Sequence, residues 1–204
     1  MTKWFRSSAL IVLVVTGLWA SERWWSPALA RTLVCTEDTS PSGALLLENF
    51  DPDYLVFERA RGLRKDGVAT RVLVPTRVDK GTRTPNAVAV GFVEVLTRIS
   101  RLEGVEIVPV EEAEPISLNV GRQIRDFLTG AGIRSVTVVS PQFRSRRSQL
   151  VYEETLGKAG ISVHCVPASS GHSVENWTET WHGIQNVAEQ WLKLQYYRWW
   201  VLAL

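Results

Sequence analysis

The sequence predicts an α/β protein with a three-layer, Rossmann-like architecture: about five parallel strands with helices on both faces, preceded by an N-terminal transmembrane or signal-anchor helix. Short runs of aliphatic and β-branched residues alternate with longer segments of helical periodicity. Strands and helices that alternate in this way form right-handed crossovers and a parallel sheet. A basic N-terminus followed by an apolar run is typical of a signal sequence or membrane anchor.

The N-terminal segment is the predicted membrane contact. Lys3 and Arg6 precede an uncharged stretch, residues 7–21, which is shorter than the roughly 20 residues of a comfortable spanning helix. Residues 28–30, Ala-Leu-Ala, resemble a signal-cleavage site, but charged and aromatic residues at 22–25 separate them from the apolar core. We therefore favour an uncleaved signal anchor over a cleaved signal or a buried helix. The basic flank predicts a single-pass protein with a cytoplasmic N-terminus and an extracytoplasmic main domain.

The chain divides into three predicted regions: a signal anchor with its flank at 1–30, a linker at 31–43 rich in Thr, Ser, Pro and Gly, and an α/β domain at 44–204. The formal net charge is only +2, and the basic residues form no long patch. Nucleic acid is therefore not an expected partner. The expected partners are the membrane and a small anionic ligand.

The elements of the domain are predicted in order from periodicity and capping. Strands are expected at 44–47, 71–74, 105–110, 135–140 and 161–166. Asp51-Pro52 begins the first helix, with an N-capping acid and proline in the first turn. Thr84-Pro85 begins the second, in which Val88, Phe92, Leu96 and Ile99 keep helical spacing. Ser117 is expected to cap the third, which ends near Gly130. The remaining helices are expected at 144–159 and from about residue 176 onward.

Tryptophan is unusually frequent, with nine residues that fall at the two ends of the chain. Indole rings often lie at membrane–water interfaces. In the last segment we expect Trp177, Trp181 and Trp191 to pack on the sheet. We expect Trp199-Trp200-Val201 to have a surface or membrane role.

The two cysteines are Cys35, in the predicted linker, and Cys165, in the fifth predicted strand. An extracytoplasmic domain is compatible with a disulfide, whereas a buried free thiol at Cys165 is the commoner outcome. The spacing of the cysteines and of the three histidines does not suggest zinc, so no metal site is predicted.

Polar residues that follow the predicted strands are the candidate ligand-binding residues, because ligands of parallel sheets bind beyond the carboxyl ends of the strands. The chain has no G-x-G-x-x-G loop or P-loop, so dinucleotide or triphosphate binding is poorly supported and no cofactor is identified. The candidates are Glu48, Asn49, Thr76, Ser117, Asn119, Ser140, Arg144, Arg146 and Arg147.

The three arginines form the strongest signal, because they lie where the helix after the fourth strand begins. Unpaired N–H groups at a helix N-terminus and nearby guanidinium groups together favour an anion. A solvated cluster that pairs with acids is the alternative. Glu48 is the one candidate for a catalytic base on the central strand, or else a partner of one arginine. Ser117 and Asn119 are equally well read as capping residues.

Four segments carry a resemblance to a known family. They are residues 45–54 (Leu-Leu-Leu-Glu-Asn-Phe-Asp-Pro-Asp-Tyr), 115–119 (Pro-Ile-Ser-Leu-Asn), 140–148 (Ser-Pro-Gln-Phe-Arg-Ser-Arg-Arg-Ser), and 176–183 with 189–197. In order and spacing they resemble the envelope-associated YdcF-like family, which includes SanA and ElyC, over residues 43–202. The resemblance implies the same α/β fold and a role in cell-envelope biogenesis or barrier function.

The chain departs from that family at two places. Glu48-Asn49 replaces a glycine-rich turn after the first strand, and Phe143 or Arg144 replaces a histidine after the fourth. The family arginine that follows is matched by Arg146 or Arg147, so the resemblance implies anion binding more than catalysis. The predicted function is a membrane-anchored domain that binds a small phosphate- or carboxylate-bearing ligand. The alternative is a non-enzymatic membrane-associated scaffold, with residues 191–204 docked beside the membrane or a partner helix.

Overall fold

The computed structural model describes residues 16–17, 20–50, 53–79, 81–82, 84–169 and 171–202. These residues form a Rossmann-like α/β fold with a five-stranded parallel sheet flanked by helices, which confirms the α/β part of the predicted fold class. The strands are β1 (Ala44–Leu47), β2 (Arg71–Arg77), β3 (Val105–Val110), β4 (Ser135–Pro141) and β5 (Ser162–Ala168). The helices are α1 (Glu22–Arg31), α2 (Tyr54–Lys65), α3 (Ala87–Ser100), α4 (Ile116–Gly130), α5 (Ser145–Leu156) and α6 (Trp181–Tyr196).

The strand order is β3-β2-β1-β4-β5, so β1 lies at the centre of the sheet. Leu45 pairs in register with Val72 of β2 and Thr137 of β4. Side chains alternate between the faces of a strand. Leu45 and Leu47 therefore pack with residues of α2 and α3, whereas Leu46 packs with α4 and α5 on the other face. This double coverage explains why β1 is apolar at every position.

Three helices begin at different residues from those predicted, for local reasons. The Asp53 side chain accepts a hydrogen bond from the N–H of Leu55 at 2.9 Å, so α2 begins at Tyr54; the predicted start, Asp51-Pro52, lies outside the described residues. The Asn86 side chain accepts a hydrogen bond from the N–H of Ala89 at 3.0 Å, so α3 begins at Ala87 and not at Thr84. Helix α4 begins at Ile116, directly after a cis Glu114–Pro115 bond. Ser117 therefore lies inside the first turn, and the prediction that it caps the helix is wrong.

Helix α3 buries a different face from the one that its apolar spacing indicates. Val88, Phe92 and Ile99 are each more than half exposed, while Val93 and the half-buried Leu96 contact the core. The helix packs on α2 and β2. Periodicity predicted the helix correctly, but its buried face depends on the position of α2.

The predicted membrane stretch lies largely outside the described residues, since residues 1–15 and 18–19 are not among them. Among the described residues, no helix combines the length and apolar character needed to cross a bilayer. Helix α1, which follows this stretch, contacts the domain directly. Its Ala30, together with Leu33, is buried against Trp177 and Val187 in a small apolar cluster.

The segment after α1, which was predicted as a linker, is fastened to β5. The N–H of Asp38 donates to the Cys165 carbonyl at 2.9 Å, and the carboxylate of Asp38 pairs with His164. Hydrogen bonds from Ser40 and His164 hold the pKa of Asp38 well below its ordinary value. Cys35 and Cys165 form a disulfide with their Cα atoms 6.4 Å apart. The expectation of a free Cys165 is wrong. The segment after α1 lies beside β5, so Cys35 reaches Cys165 although the two residues are 130 positions apart in the sequence.

Helix α6 lies across the carboxyl side of β4 and buries Val187, Gln190 and Leu194. Trp177, in a short turn before it, is buried as predicted, and its indole N–H donates to the Ser26 carbonyl at 3.1 Å. The prediction that Trp181 and Trp191 pack on the sheet is wrong: Trp181 is 72% exposed and Trp191 37%. Trp181 lies on the outer face of the helix, whereas Trp191 lies at the border of the buried stripe, between Val187 and Leu194.

Gly183 sets the close approach of α6 to the Trp177 turn. A Cβ atom at residue 183 would collide with the backbone carbonyl of Trp177, at 2.9 Å from the carbonyl carbon. Gly183→Ala is therefore expected to lower the free energy of unfolding by about 1–3 kcal/mol, although alanine ordinarily favours a helix by about 1 kcal/mol.

Thermal denaturation of the Gly183→Ala variant measures this loss. The control is Gly130→Ala, because Gly130 is a helical glycine with open space around its Cβ position. Each kcal/mol corresponds to about 2–4 °C in a chain of this size. Gly130→Ala is expected to be neutral or stabilising. Equal melting temperatures for the two variants would contradict the role of the Trp177 contact.

Candidate functional site

The candidate site lies where the chain reverses direction across the sheet. After β3 the chain returns past β1 to form β4, so β1 and β4 are neighbours at the topological switch point. In such sheets a crevice opens beyond the carboxyl ends of these strands. Glu48 follows β1 and Ser140 is near the end of β4, so both lie at this edge.

A cavity of about 430 Å³ opens at the same edge. Its walls come from the ends of β1, β3 and β4, from the start of α4, and from the last turns of α6. The lining residues are Phe50, Glu112, Glu114, Ile116, Ser117, Arg144, Arg147, Lys193, Tyr196 and Tyr197. The cationic groups come from α5, α6 and the turn before α5, whereas both acids come from the exposed loop after β3. The inner wall is therefore the more positive side of the cavity.

Arg147 is held in the inner wall by neutral groups. It is only 6% exposed, and its Nη1 and Nη2 atoms lie 3.4 Å from Ser117 Oγ and 3.2 Å from Gln190 Oε1. The Tyr197 ring stacks on its guanidinium group, with 5.4 Å from Cζ to the ring centroid. The Tyr197 hydroxyl in turn accepts a hydrogen bond from the N–H of Ser117 at 3.2 Å. These contacts fix the planar fork, which is the geometry that favours bidentate binding of phosphate or carboxylate.

Arg144 lies next to Arg147 and links the cavity to the central strand. It is 8% exposed, and its guanidinium group lies 5.1 Å from the centroid of the Phe50 ring. Its Nε atom is 3.7 Å from Oε2 of Glu48. The side chain therefore belongs both to the cavity wall and to a buried ion pair.

Glu48 is buried behind the cavity and is engaged by its neighbours. Its Oε2 atom accepts hydrogen bonds from Ser140 at 2.7 Å and from Ser148, in addition to the Arg144 contact. The carboxylate does not line the cavity described above. This geometry favours the interpretation of Glu48 as the partner of an arginine over its interpretation as a catalytic base.

Tyr152 is fully buried near these charges. Burial, and then the negative charge of Glu48, raise the pKa of its phenol well above the ordinary value, although the two arginines oppose this shift. The phenol therefore stays neutral at physiological pH. It packs in the core beneath the site as an apolar group.

Arg146 is the sequence-predicted arginine that the fold directs elsewhere. Its guanidinium group donates to Gln149 at 3.0 Å, and it is not among the residues that line the cavity. Its backbone N–H donates to the Leu33 carbonyl at 3.0 Å. An N–H group expected to be open at the helix N-terminus is therefore occupied by the segment after α1. Of the features predicted for an anion site, the cavity therefore keeps the guanidinium groups of Arg144 and Arg147.

The remaining candidates lie around the cavity in other roles. Asn119 lies inside α4, whose N-cap is Pro115, so the capping role considered for it is wrong; its side chain donates to the carbonyls of Ala113 and Glu114 and holds the loop before the helix. Asn49 and Thr76 line an adjoining cavity of about 230 Å³, which shares Phe50 and Glu112 with the larger one. The side-chain oxygen of Asn49 is buried there without a hydrogen-bond partner among the described residues.

Several contributors were missed by sequence reasoning, namely Phe50, Gln190, Lys193, Tyr196 and Tyr197. Most of them come from α6, at the far end of the chain from β1. The available signal was a glutamine at 190 among apolar positions of a helix, which marks a buried polar group in need of a partner. Among the described residues, no cluster of three or more His, Cys, Asp or Glu side chains could hold a metal ion.

With this geometry established, we compared the chain with known proteins. No protein-family model matches it, and no curated protein or solved structure shows significant similarity to it.

Proposed function

We propose that this chain is a membrane-anchored α/β domain, related to the YdcF-like family, that binds a small anionic ligand in cell-envelope biogenesis or barrier function. The observation that carries the proposal is the pair of nearly buried guanidinium groups of Arg144 and Arg147. They line one cavity at the β1–β4 switch point. Phosphate or carboxylate is the ligand chemistry that such a pair favours.

The electrostatics of the cavity support this assignment. Glu48, which lies behind the cavity, pairs with Arg144 and offsets its positive charge. Lys193 is the third cation in the cavity wall, and it also pairs with Glu189. The fork of Arg147 is positioned by the oxygens of Ser117 and Gln190, which are neutral. A phosphate or carboxylate group in the cavity would exchange water for charge-assisted hydrogen bonds from these guanidinium groups.

The proposed location rests on the N-terminal sequence and is supported by the disulfide. Lys3 and Arg6 before the apolar run favour a cytoplasmic N-terminus. The Cys35–Cys165 bond is of the kind that persists in oxidising compartments, which agrees with an extracytoplasmic domain. The proposal concerns binding, because Glu48 is already occupied by two hydroxyls and Arg144.

Neighbouring arginines provide a matched test of the site. The full chain in detergent micelles would be heated with inorganic phosphate, pyrophosphate or acetate while tryptophan fluorescence is recorded. At a hundredfold excess over Kd a ligand stabilises the fold by about 2.7 kcal/mol, which raises the melting temperature by about 2–4 °C per kcal/mol. We expect Arg147→Gln to abolish this rise, because it removes the fork from the cavity.

Arg146→Gln is the control, since it removes the same charge one residue away from a side chain outside the cavity wall. It should retain the stabilisation by the same anion. The proposal fails if none of the anions stabilises the wild-type chain, or if the two variants lose the effect equally.

A further inference from the structure

We propose that one face of α6 docks on the surface of a lipid bilayer. This aromatic face consists of five residues of α6 (Trp181, Ile184, Trp191, Leu192 and Tyr196) and of Trp199 in the π-helical turn, Tyr197–Val201, that continues α6. Of these residues only Tyr196 also lines the anion cavity, so the surface extends well beyond that cavity. It rests on the exposure of these side chains and on their relation to the N-terminal apolar run.

The aromatic face is continuous and exposed along the whole helix. Residues spaced three or four apart lie on the same side of a helix. Trp181, Ile184, Trp191 and Trp199 follow this spacing through Ala188 and Gln195, and Leu192 and Tyr196 flank them. Trp181 is 72% exposed, Leu192 63% and Trp199 70%. At 1.5 Å per residue the face is roughly 27 Å long.

The other sides of α6 are of different character. Val187, Gln190 and Leu194 point into the protein. A polar side with His182, Gln185 and Glu189 faces a separate cleft beside Arg144. The helix therefore has a core side and an aromatic side that borders the polar side, and each residue of the aromatic side is at least 37% exposed. An apolar side of this kind on a surface helix is the pattern of interfacial helices.

The chemistry of the face indicates the headgroup layer as its partner. Indole and phenol rings combine an apolar body with a polar edge, and they concentrate where hydrocarbon meets water. Three tryptophans and a tyrosine in one stripe match this layer. The Trp199 indole N–H already has a polar partner, Gln195, at 3.1 Å, as expected at the wet boundary of a membrane.

The start of α6 adjoins the segment that follows the N-terminal apolar run. Glu22, at the beginning of α1, accepts a hydrogen bond from Thr178, three residues before Trp181. Trp25 and Trp177 pack edge to face with their ring centroids 6.3 Å apart. The run at residues 9–20 ends next to this junction in the sequence. A bilayer that takes up this run would therefore lie close to the first turn of the aromatic face.

Docking would also orient the anion cavity, because Lys193 and Tyr196 of α6 contribute to its wall. The cavity would then lie beside the headgroups.

Fluorescent labels on the full chain can test this directly. Leu192→Cys and Trp199→Cys, each in an otherwise unchanged chain, would carry an environment-sensitive NBD group. The chain would be reconstituted in vesicles of phosphatidylcholine and phosphatidylglycerol, with and without nitroxides on the lipid tails. We expect a blue-shifted emission at both positions and a loss of intensity when nitroxide lipids are present.

Lys65→Cys is the matched control, because it is exposed at the end of α2. The α2 helix leads back to the start of β2, so its end lies at the opposite edge of the sheet from the cavity. Its label should show water-like emission and no lipid quenching. A second substitution, Leu192→Glu, would be added to the chain that carries its label at Trp199→Cys. The emission of that label should then shift toward the water-like emission of the Lys65→Cys control.

Three results would overturn the proposal. Water-like emission at both α6 positions would mean that the face stays in solvent. A blue shift without lipid quenching that grows with protein concentration would assign the face to a second copy of the chain. A blue shift without lipid quenching that does not change with protein concentration would mean that the chain's own N-terminal segment covers the face. None of these results changes the outcome of the Arg147 and Arg146 comparison, so the two proposals fail separately.

Discussion

Loss of the Cys35–Cys165 disulfide is expected to lower the free energy of unfolding by about 2–5 kcal/mol. The bond joins residues 130 positions apart, so it closes most of the α/β domain into one loop. In the chain-entropy account, longer loops lose more freedom in the unfolded state, and a 100-residue loop corresponds to about 4.7 kcal/mol. The loss should therefore lie toward the upper end of this range.

The measurement is chemical denaturation of the full chain in a mild detergent, followed by tryptophan fluorescence. The Cys35→Ala, Cys165→Ala double variant should unfold at lower denaturant than the oxidised wild type. Wild type treated with a thiol reductant should show a similar loss, while the reductant should leave the double variant unchanged. Identical midpoints for oxidised and reduced wild type would contradict the prediction.

The segment after α1 should respond first to reduction. Without the disulfide it is held by separate polar contacts. They include hydrogen bonds from the N–H of Asp38 to the Cys165 carbonyl, from the N–H of Arg146 to the Leu33 carbonyl and from the N–H of Cys35 to Ser145 Oγ, and the side-chain pairs Asp38–His164 and Glu37–Arg59. Because Leu33 belongs to the apolar cluster with Trp177, release of this segment also loosens the contact between α1 and α6.

Glu48→Gln is expected to destabilise the fold by about 3–5 kcal/mol, the range for removing one member of a buried ion pair. Glu48 is 2% exposed and Arg144 8%, so neutralising the carboxylate leaves a buried cation with less compensation. Ser140 and Ser148 also lose their charged acceptor. Thermal or chemical denaturation at neutral pH measures the difference.

Glu106→Gln provides the comparison, because its pair with Arg71 is about 40% exposed on both sides. Exposed pairs contribute only about 0–1 kcal/mol. In addition, Glu48→Gln combined with Arg144→Gln should cost less than the sum of the single changes, since the two groups contact each other. If Glu48→Gln costs no more than Glu106→Gln, the carboxylate does not act as the buried partner of Arg144.

Much of the fold could be read from local patterns. Apolar runs such as residues 44–47 and 135–140 form strands, and their alternation with helices correctly predicted one parallel sheet. The rule that strand ends meet at one edge also placed Glu48, Ser140 and Arg144 together, and the structure brings them into contact. These features depend on periodicity and chain direction, which the order of residues contains directly.

Neighbouring residues in one helix show where this reasoning stops. Arg146 and Arg147 are equivalent by composition, but successive residues in an α-helix point about 100° apart. Only the way α5 packs decides which of them faces the cavity. The same holds for α3, whose buried face was not the one indicated by Val88, Phe92 and Ile99.

The order of residues along the chain was thus sufficient to predict the sheet, the edge at which the candidate site lies, and two residues at that edge, Glu48 and Arg144. The pairing of Cys35 with Cys165, the choice of Arg147, and the contribution of Gln190 and Tyr197 depend on contacts between residues 43 to 130 positions apart. Such contacts arise from how helices and strands pack on one another. Periodicity describes each element separately and contains no information on their mutual rotation.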